Sequence, residues 1–105
     1  MELENGESIL IQEKGDYWEK FICFYNQNRG KYTITNKRII FSSLMEIHDF
    51  SIRYEDIQSI SKCNVGPLIR FMPTGILVRT KQGKSYRLSV LGRKKYMDTI
   101  ETYIG

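Results

Sequence analysis

Apolar and polar residues along this chain follow a β-type pattern almost throughout, and the period changes only near the end. Ser8-Ile9-Leu10-Ile11-Gln12-Glu13-Lys14 reads as a first strand, stopped by Gly15-Asp16. Tyr17 to Tyr25 is again β-rich, and Asn26-Gln27-Asn28-Arg29-Gly30 reads as a polar turn. Lys31 to Thr35 and Lys37 to Ser43 form two further strands joined at Asn36. Alternation over Ile47 to Tyr54 predicts another strand, followed by one short helical turn at Tyr54-Glu55-Asp56-Ile57 and a strand over Ser59 to Val65. Gly75 to Thr80 and Lys84 to Val90 make a hairpin whose turn, Lys81-Gln82-Gly83, has a glycine able to take positive φ. In the tail, Tyr96, Met97, Ile100, Tyr103 and Ile104 fall on one helical stripe.

A helix of about a dozen residues starting near Gly92 is marginal alone, so its stripe must dock on the sheet. Tyr96, Met97, Ile100 and Tyr103 are therefore expected to be buried. So many strands, with a single terminal amphipathic helix, predict a mainly β fold: a strongly bent sheet or partly open barrel with the helix closing one end.

Length and composition add bounds. A chain of 105 residues, 41% hydrophobic and 27% charged, is expected to be one globular domain spanning 1–105 rather than a disordered segment. The start, Met1-Glu2-Leu3-Glu4-Asn5-Gly6-Glu7, has neither the basic nor the apolar region of a signal peptide, and no apolar run approaches a membrane span. The expected location is the cytoplasm, including the inner face of its membrane as a peripheral protein. Cys23 and Cys63 lie in apolar-patterned segments without a Cys-x-x-Cys motif, which predicts buried thiols and neither a disulfide nor a metal site.

Gly30-Lys31-Tyr32-Thr33-Ile34-Thr35-Asn36-Lys37-Arg38-Ile39-Ile40-Phe41 is the most distinctive stretch. Asn36 and Thr35 suit a tight link, because both side chains can bond nearby backbone. Ile39 and Phe41 share one strand face, and Arg38 and Ile40 share the other. Together with Glu4 to Leu10 and Tyr54 to Ile60, this stretch resembles the GRAM domain, a family of the pleckstrin-homology-like (PH-like) superfold. The resemblance extends over nearly the whole chain. It implies a seven-stranded, orthogonally bent barrel capped by a helix, no catalysis, no cofactor, and a role in binding membrane lipids or partner proteins. PH modules that hold inositol phosphates use basic residues around the first strand–strand loop. Here that stretch, Glu13-Lys14-Gly15-Asp16, is mixed in sign, so that site is not carried over.

Charge sharpens the reading. Between Gln58 and Met97 lie nine bases and no acid; the remainder holds seven bases against twelve acids, so a net +4 conceals a +9 stretch and a −5 remainder. Such segregation attracts anions if the fold keeps those residues together. Lys37, Arg38, Arg79, Lys81, Lys84, Arg87, Arg93, Lys94 and Lys95 are the candidate contacts to an anionic surface. The last seven are expected to form one continuous region, because the final hairpin leads into the helix. The alternative is that the basic strands simply present solvated faces.

A second candidate is the loop between Pro67 and Pro73, which carries Leu68, Ile69, Arg70, Phe71 and Met72. Prolines argue against a sheet interior, so these apolar side chains either fold back to plug the barrel or form an exposed contact patch. Enzyme readings find no support. His48 and Asp49 are neighbours on a strand and point to opposite faces, and no Ser/His/Asp, HExxH or P-loop pattern occurs. The expected function is a non-catalytic binding module contacting an anionic membrane lipid surface or an acidic partner. Protein–protein contact or homo-oligomerisation through the 66–75 loop ranks second. Nucleic acid ranks last, for want of a recognition helix or an RRM-type aromatic motif.

Overall fold

The structure is a computed structural model, and it describes residues 3–21, 24–43, 49–66 and 72–104. Seven strands occur in it: β1 (Ile9–Phe21), β2 (Phe24–Thr35), β3 (Arg38–Ser43), β4 (Phe50–Arg53), β5 (Ile57–Val65), β6 (Met72–Thr80) and β7 (Ser85–Ser89). A single 3-10 turn over Tyr54–Asp56 joins β4 to β5, and the helix α1 (Arg93–Ile104) ends the chain. All pairings are antiparallel in one open sheet of order β4-β3-β2-β1-β7-β6-β5. The predicted mainly β fold with one closing helix is the observed one. His48, Cys23 and the loop residues Leu68, Ile69, Arg70 and Phe71 lie outside the described residues, while Met72 opens β6.

The first half departs from the expected strand breaks. Gly15-Asp16 does not stop a strand and 26–30 is not a turn. β1 and β2 run through both places and pair continuously, with Lys14 opposite Lys31, Gly15 opposite Gly30 and Asp16 opposite Arg29. The glycines are there for close approach. A Cβ on Gly15 would fall 2.6 Å from the Tyr32 ring and 2.7 Å from the Ser89 carbonyl oxygen. A Cβ on Gly30 would strike the Ser42 carbonyl oxygen and the Phe41 ring. Both rings therefore lie against bare backbone, as glycine in a strand interior often permits. Tyr32 then donates its hydroxyl to the Asp16 carbonyl at 2.7 Å, closing the ring over the glycine.

The inner face is one core built from both halves of the sheet: Ile11, Tyr17, Tyr32, Ile34, Ile39, Phe41, Ile52, Ile76, Val78 and Leu88 are all buried. Phe50 sits between the Tyr17, Phe41 and Tyr86 rings at centroid distances of 4.8, 5.3 and 4.7 Å. The helix closes this core with Tyr96, Met97 and Ile100, all buried as expected. Tyr103 is not buried; it is 40% exposed and stacks on Tyr54 at 5.4 Å. Cys63 is half-buried rather than fully buried, set beside Gly75 on the outer face.

The segment before β1 is tied to the β2–β3 turn through one buried carboxylate. Glu7 accepts from the Thr35 hydroxyl at 2.6 Å, from Arg38 Nε at 2.9 Å and Nη2 at 3.1 Å, and from the Glu4 amide at 2.9 Å. Asn36 completes the tie: its Oδ1 accepts from the Ser8 amide at 2.8 Å, and its Nδ2 donates to the Gly6 carbonyl at 3.1 Å. The Glu7 side chain is fully buried, whereas Arg38 keeps 17% of its side-chain surface. Arg38, then the Thr35 hydroxyl and the Glu4 amide, outweigh burial and hold the Glu7 carboxyl at about 2, against an ordinary value of 4.5.

Three outcomes follow, two from the Glu7 contacts and one from the docked helix. The depressed carboxyl contributes stability above about pH 4.5 that is lost as pH falls toward 2. Acid titration of the folded fraction should show this loss in the native chain and lack it in Glu7→Gln. Glu7→Ala should cost about 3 kcal/mol, near the low end for breaking a buried pair, because Arg38 retains some contact with water. Removal of residues 93–105 strips three buried apolar side chains worth about 5–9 kcal/mol, comparable to the whole stability of a small domain. The truncated chain should show no cooperative melting transition by circular dichroism.

Candidate functional site

The bases expected to act together are spread over four places. Arg38 is absorbed by Glu7, and Lys37 donates to the Asn5 carbonyl at 3.0 Å, so both hold the N-terminal segment in place. Arg79 and Arg87 lie on the outer face of the sheet; Arg79 is in register with Ser59 and Ser85, and Arg87 with Trp18 and Leu77. Arg87 is half-buried among those neighbours, and its stem covers apolar surface. Lys81 and Lys84 occupy the β6–β7 turn, where Gly83 takes φ +89°. There the Lys81 amide donates to the Asp56 carbonyl at 2.9 Å, Lys84 shares a hollow with Asp56, and its ammonium lies 4.8 Å from the Tyr86 ring centre. Arg93, Lys94 and Lys95 open α1.

The expected single basic region is thus divided. The β6–β7 turn and the helix start sit at opposite ends of β7, a strand of five residues or roughly 17 Å. That exceeds the screening length of about 8 Å at physiological salt, so the two groups act separately.

A different set of cations meets around the Gly15–Gly30 pair. Lys14 and Lys31 are direct cross-strand neighbours on the outer face, and Arg29 lies two pairs further along on the same face, opposite Asp16. With Gly15, Gly30 and Ser42 these residues line a hollow of about 530 Å³. A second hollow of about 260 Å³ adjoins it, sharing Lys14, Gly15, Asp16 and Arg29 and bounded beyond by Ser89, Val90 and Leu91. The two hollows form one trough over β2, β1 and the β7–α1 link. Lys14, Arg29 and Lys31 form no ion pair among the described residues. Asp16, the acid within the trough, accepts from Gln27 Nε2 at 2.7 Å.

The first turn of α1 lies within a helical turn of Leu91. It carries three bases and no acid, the reverse of what the helix dipole favours, at a cost of about 0.3–1 kcal/mol per charge. Part of this is offset: the Glu13 carboxylate would lie 3.8 Å from a Cβ on Gly92, and Lys94 pairs with Asp98 at 2.9 Å on the exposed helix surface. Arg93 reaches back to the Cys63 carbonyl at 3.4 Å, while Lys94 and Lys95 stay exposed. Six bases around the trough and helix start thus face three acids, Glu13, Asp16 and Asp98.

Lys14, Arg29 and Lys31 escape a reading along the chain, because Lys14 sits between Glu13 and Gly15-Asp16 and the other two are 15 and 17 residues away. The available signal was the pairing of Gly15 with Gly30: once both are strand interior, Lys14 must face Lys31.

Comparison with solved structures places this architecture. The chain is similar to the crystal structure of the C-terminal domain of an unknown protein from Leishmania infantum, with a TM-score of 0.74 and 22% identity over 95% of this chain and 86% of that one. It is also similar to the Vps36 N-terminal PH domain, with a TM-score of 0.66 and 14% identity over 95% of this chain and 83% of that one. The fold is PH-like. No protein-family model and no curated protein matches the sequence.

Like charges directly opposite on neighbouring strands destabilise a sheet by a few tenths to about 1 kcal/mol. Lys31→Glu should therefore raise the melting temperature slightly by pairing with Lys14, a change read directly in a thermal melt. An unchanged or lower melting temperature would show that the two ammonium groups do not feel one another.

Proposed function

We propose that this chain is a non-catalytic binding module that docks reversibly on an anionic membrane surface, through the trough of Lys14, Arg29 and Lys31 and the adjoining bases of α1. The observation that carries this reading is that three cations from two strands meet on one outer face without an ion-pair partner among the described residues. A PH-like fold is in general a binding module used for lipids or proteins, which agrees with it. So does the Gly-x-Tyr-x-x-Thr-Asn-x-Arg-x-x-Phe stretch, on which we assign the chain to the GRAM type of PH-like domain. The proposed place of action is the cytoplasm, at the inner face of a membrane, as a peripheral protein; no helix among the described residues is long and apolar enough to cross one.

Magnitudes fit reversible docking. Each base near an anionic lipid surface contributes about 1 kcal/mol. The five exposed bases, Lys14, Arg29, Lys31, Lys94 and Lys95, give roughly 5 kcal/mol before ordering costs, which is weak and salt-sensitive binding, not anchoring.

Co-sedimentation with vesicles tests this. Binding should appear on anionic vesicles at low salt, fall steeply at high salt, and be absent on neutral vesicles. The triple change Lys14→Ala, Arg29→Ala, Lys31→Ala should weaken it by about 100-fold, whereas Arg79→Ala on β6, beside the β6–β7 turn and away from the trough, should leave it nearly unchanged. Equal loss from Arg79→Ala and from the triple change would remove the trough as the docking site.

A further inference from the structure

Leu91 is 93% exposed, the most open large apolar side chain among the described residues. A lone exposed leucine is ordinary on a protein surface. Its setting is not. On one side Leu91 bounds the hollow that holds Lys14 and Arg29; on the other it precedes Gly92-Arg93-Lys94-Lys95. It is also held between fixed points. Val90 is buried in the core, and its amide donates to the Thr74 carbonyl at 3.2 Å; Gly92 accepts from the Tyr96 amide at 3.1 Å as α1 begins. The short link between β7 and α1 therefore presents Leu91 outward with little freedom to fold back. No ordering cost falls on the link when it meets a surface.

We propose that Leu91 is a wedge that enters the acyl boundary of an anionic bilayer while the surrounding bases meet the head groups. This rests on the docking reading above and assigns the part of binding that salt does not screen. Charge selects the occupant. An apolar protein patch would leave Lys14, Arg29, Lys94 and Lys95 facing a low-dielectric surface at a desolvation cost. An anionic bilayer instead offers phosphates at the level of the bases and hydrocarbon beneath, at the level of the leucine tip. An exposed leucine between two groups of cations matches that layered order.

The test uses the whole chain and vesicles of mixed phosphatidylglycerol and phosphatidylcholine. Leu91→Ala should weaken partitioning about tenfold at both low and high salt, leaving the salt slope unchanged, since it removes apolar burial and no charge. Its melting temperature should match the native chain, because an exposed side chain adds little to folding. Leu91→Trp gives a direct readout. Its emission should shift to the blue and be quenched by lipids brominated along the acyl chain, against the baseline of the native chain, whose one tryptophan, Trp18, is buried on β1. If the native chain binds these vesicles, Leu91→Ala binds equally well and the indole introduced by Leu91→Trp is not quenched, the wedge is refuted and docking by charge stands. If the native chain fails to bind anionic vesicles even at low salt, the docking reading fails and the wedge fails with it.

Discussion

The contact of two aromatic rings with bare backbone, Tyr32 over Gly15 and Phe41 against Gly30, is the constraint on which the rest of this domain turns. Any side chain at either glycine would occupy space already held by a ring or a carbonyl oxygen. On the inner face this close approach lets the rings of β2 and β3 fill the core beside Tyr17 and Phe50. On the outer face the same two positions floor a hollow and set the cross-strand partners at its rim. The sheet cannot keep its aromatic core without also bringing Lys14, Arg29 and Lys31 together. The candidate site is thus a by-product of core packing in its geometry, and a matter of residue choice only in its sign.

The stretch that resembles a family motif plays a different part. Gly30 admits the Phe41 ring, Tyr32 bridges to the Asp16 carbonyl, Thr35 and Arg38 hold Glu7, Asn36 binds the backbone of residues 6 and 8, and Phe41 fills the core. Each fixed position of the stretch has a structural task. A motif of this kind reports which fold forms and says little about what the fold binds. Arg38 illustrates the point: its charge looks available in the sequence, yet a fully buried carboxylate across 31 residues takes it up.

Local signals made much of the fold legible. The helix, the 3-10 turn, the last hairpin with Gly83, and the strand that contains Phe41 are readable from periodicity and turn chemistry. Composition misleads where glycine and asparagine stand inside strands. Gly15 and the 26–30 segment have turn composition, but pairing along the long β1–β2 ribbon overrides local preference, as tertiary context does for strands generally. The same composition conceals the candidate site. In separate short strands Lys14 has no reason to meet Lys31; in one long ribbon it has no alternative. The pairing of Arg38 with buried Glu7 and the division of the basic segment into separate groups are likewise invisible along the chain, because each depends on which residues lie opposite rather than which lie adjacent.

The count of nine bases without an acid between Gln58 and Met97 is a true property of the chain and a poor guide to its electrostatics. Screening makes charge a local matter of about 8 Å, and neighbouring strands stand about 4.8 Å apart, so cross-strand neighbours weigh more than residues a strand's length away along the chain. By that measure the hairpin-tip bases sit beside Asp56, whereas Lys14, taken from a stretch of mixed sign, sits among cations. The sheet tolerates Lys14 opposite Lys31, and the helix tolerates bases in its first turn, although each arrangement opposes stability. Two independent unfavourable choices thus flank Leu91, the cross-strand lysines on one side and the first turn of α1 on the other. An anion held there, as proposed above, would relieve both.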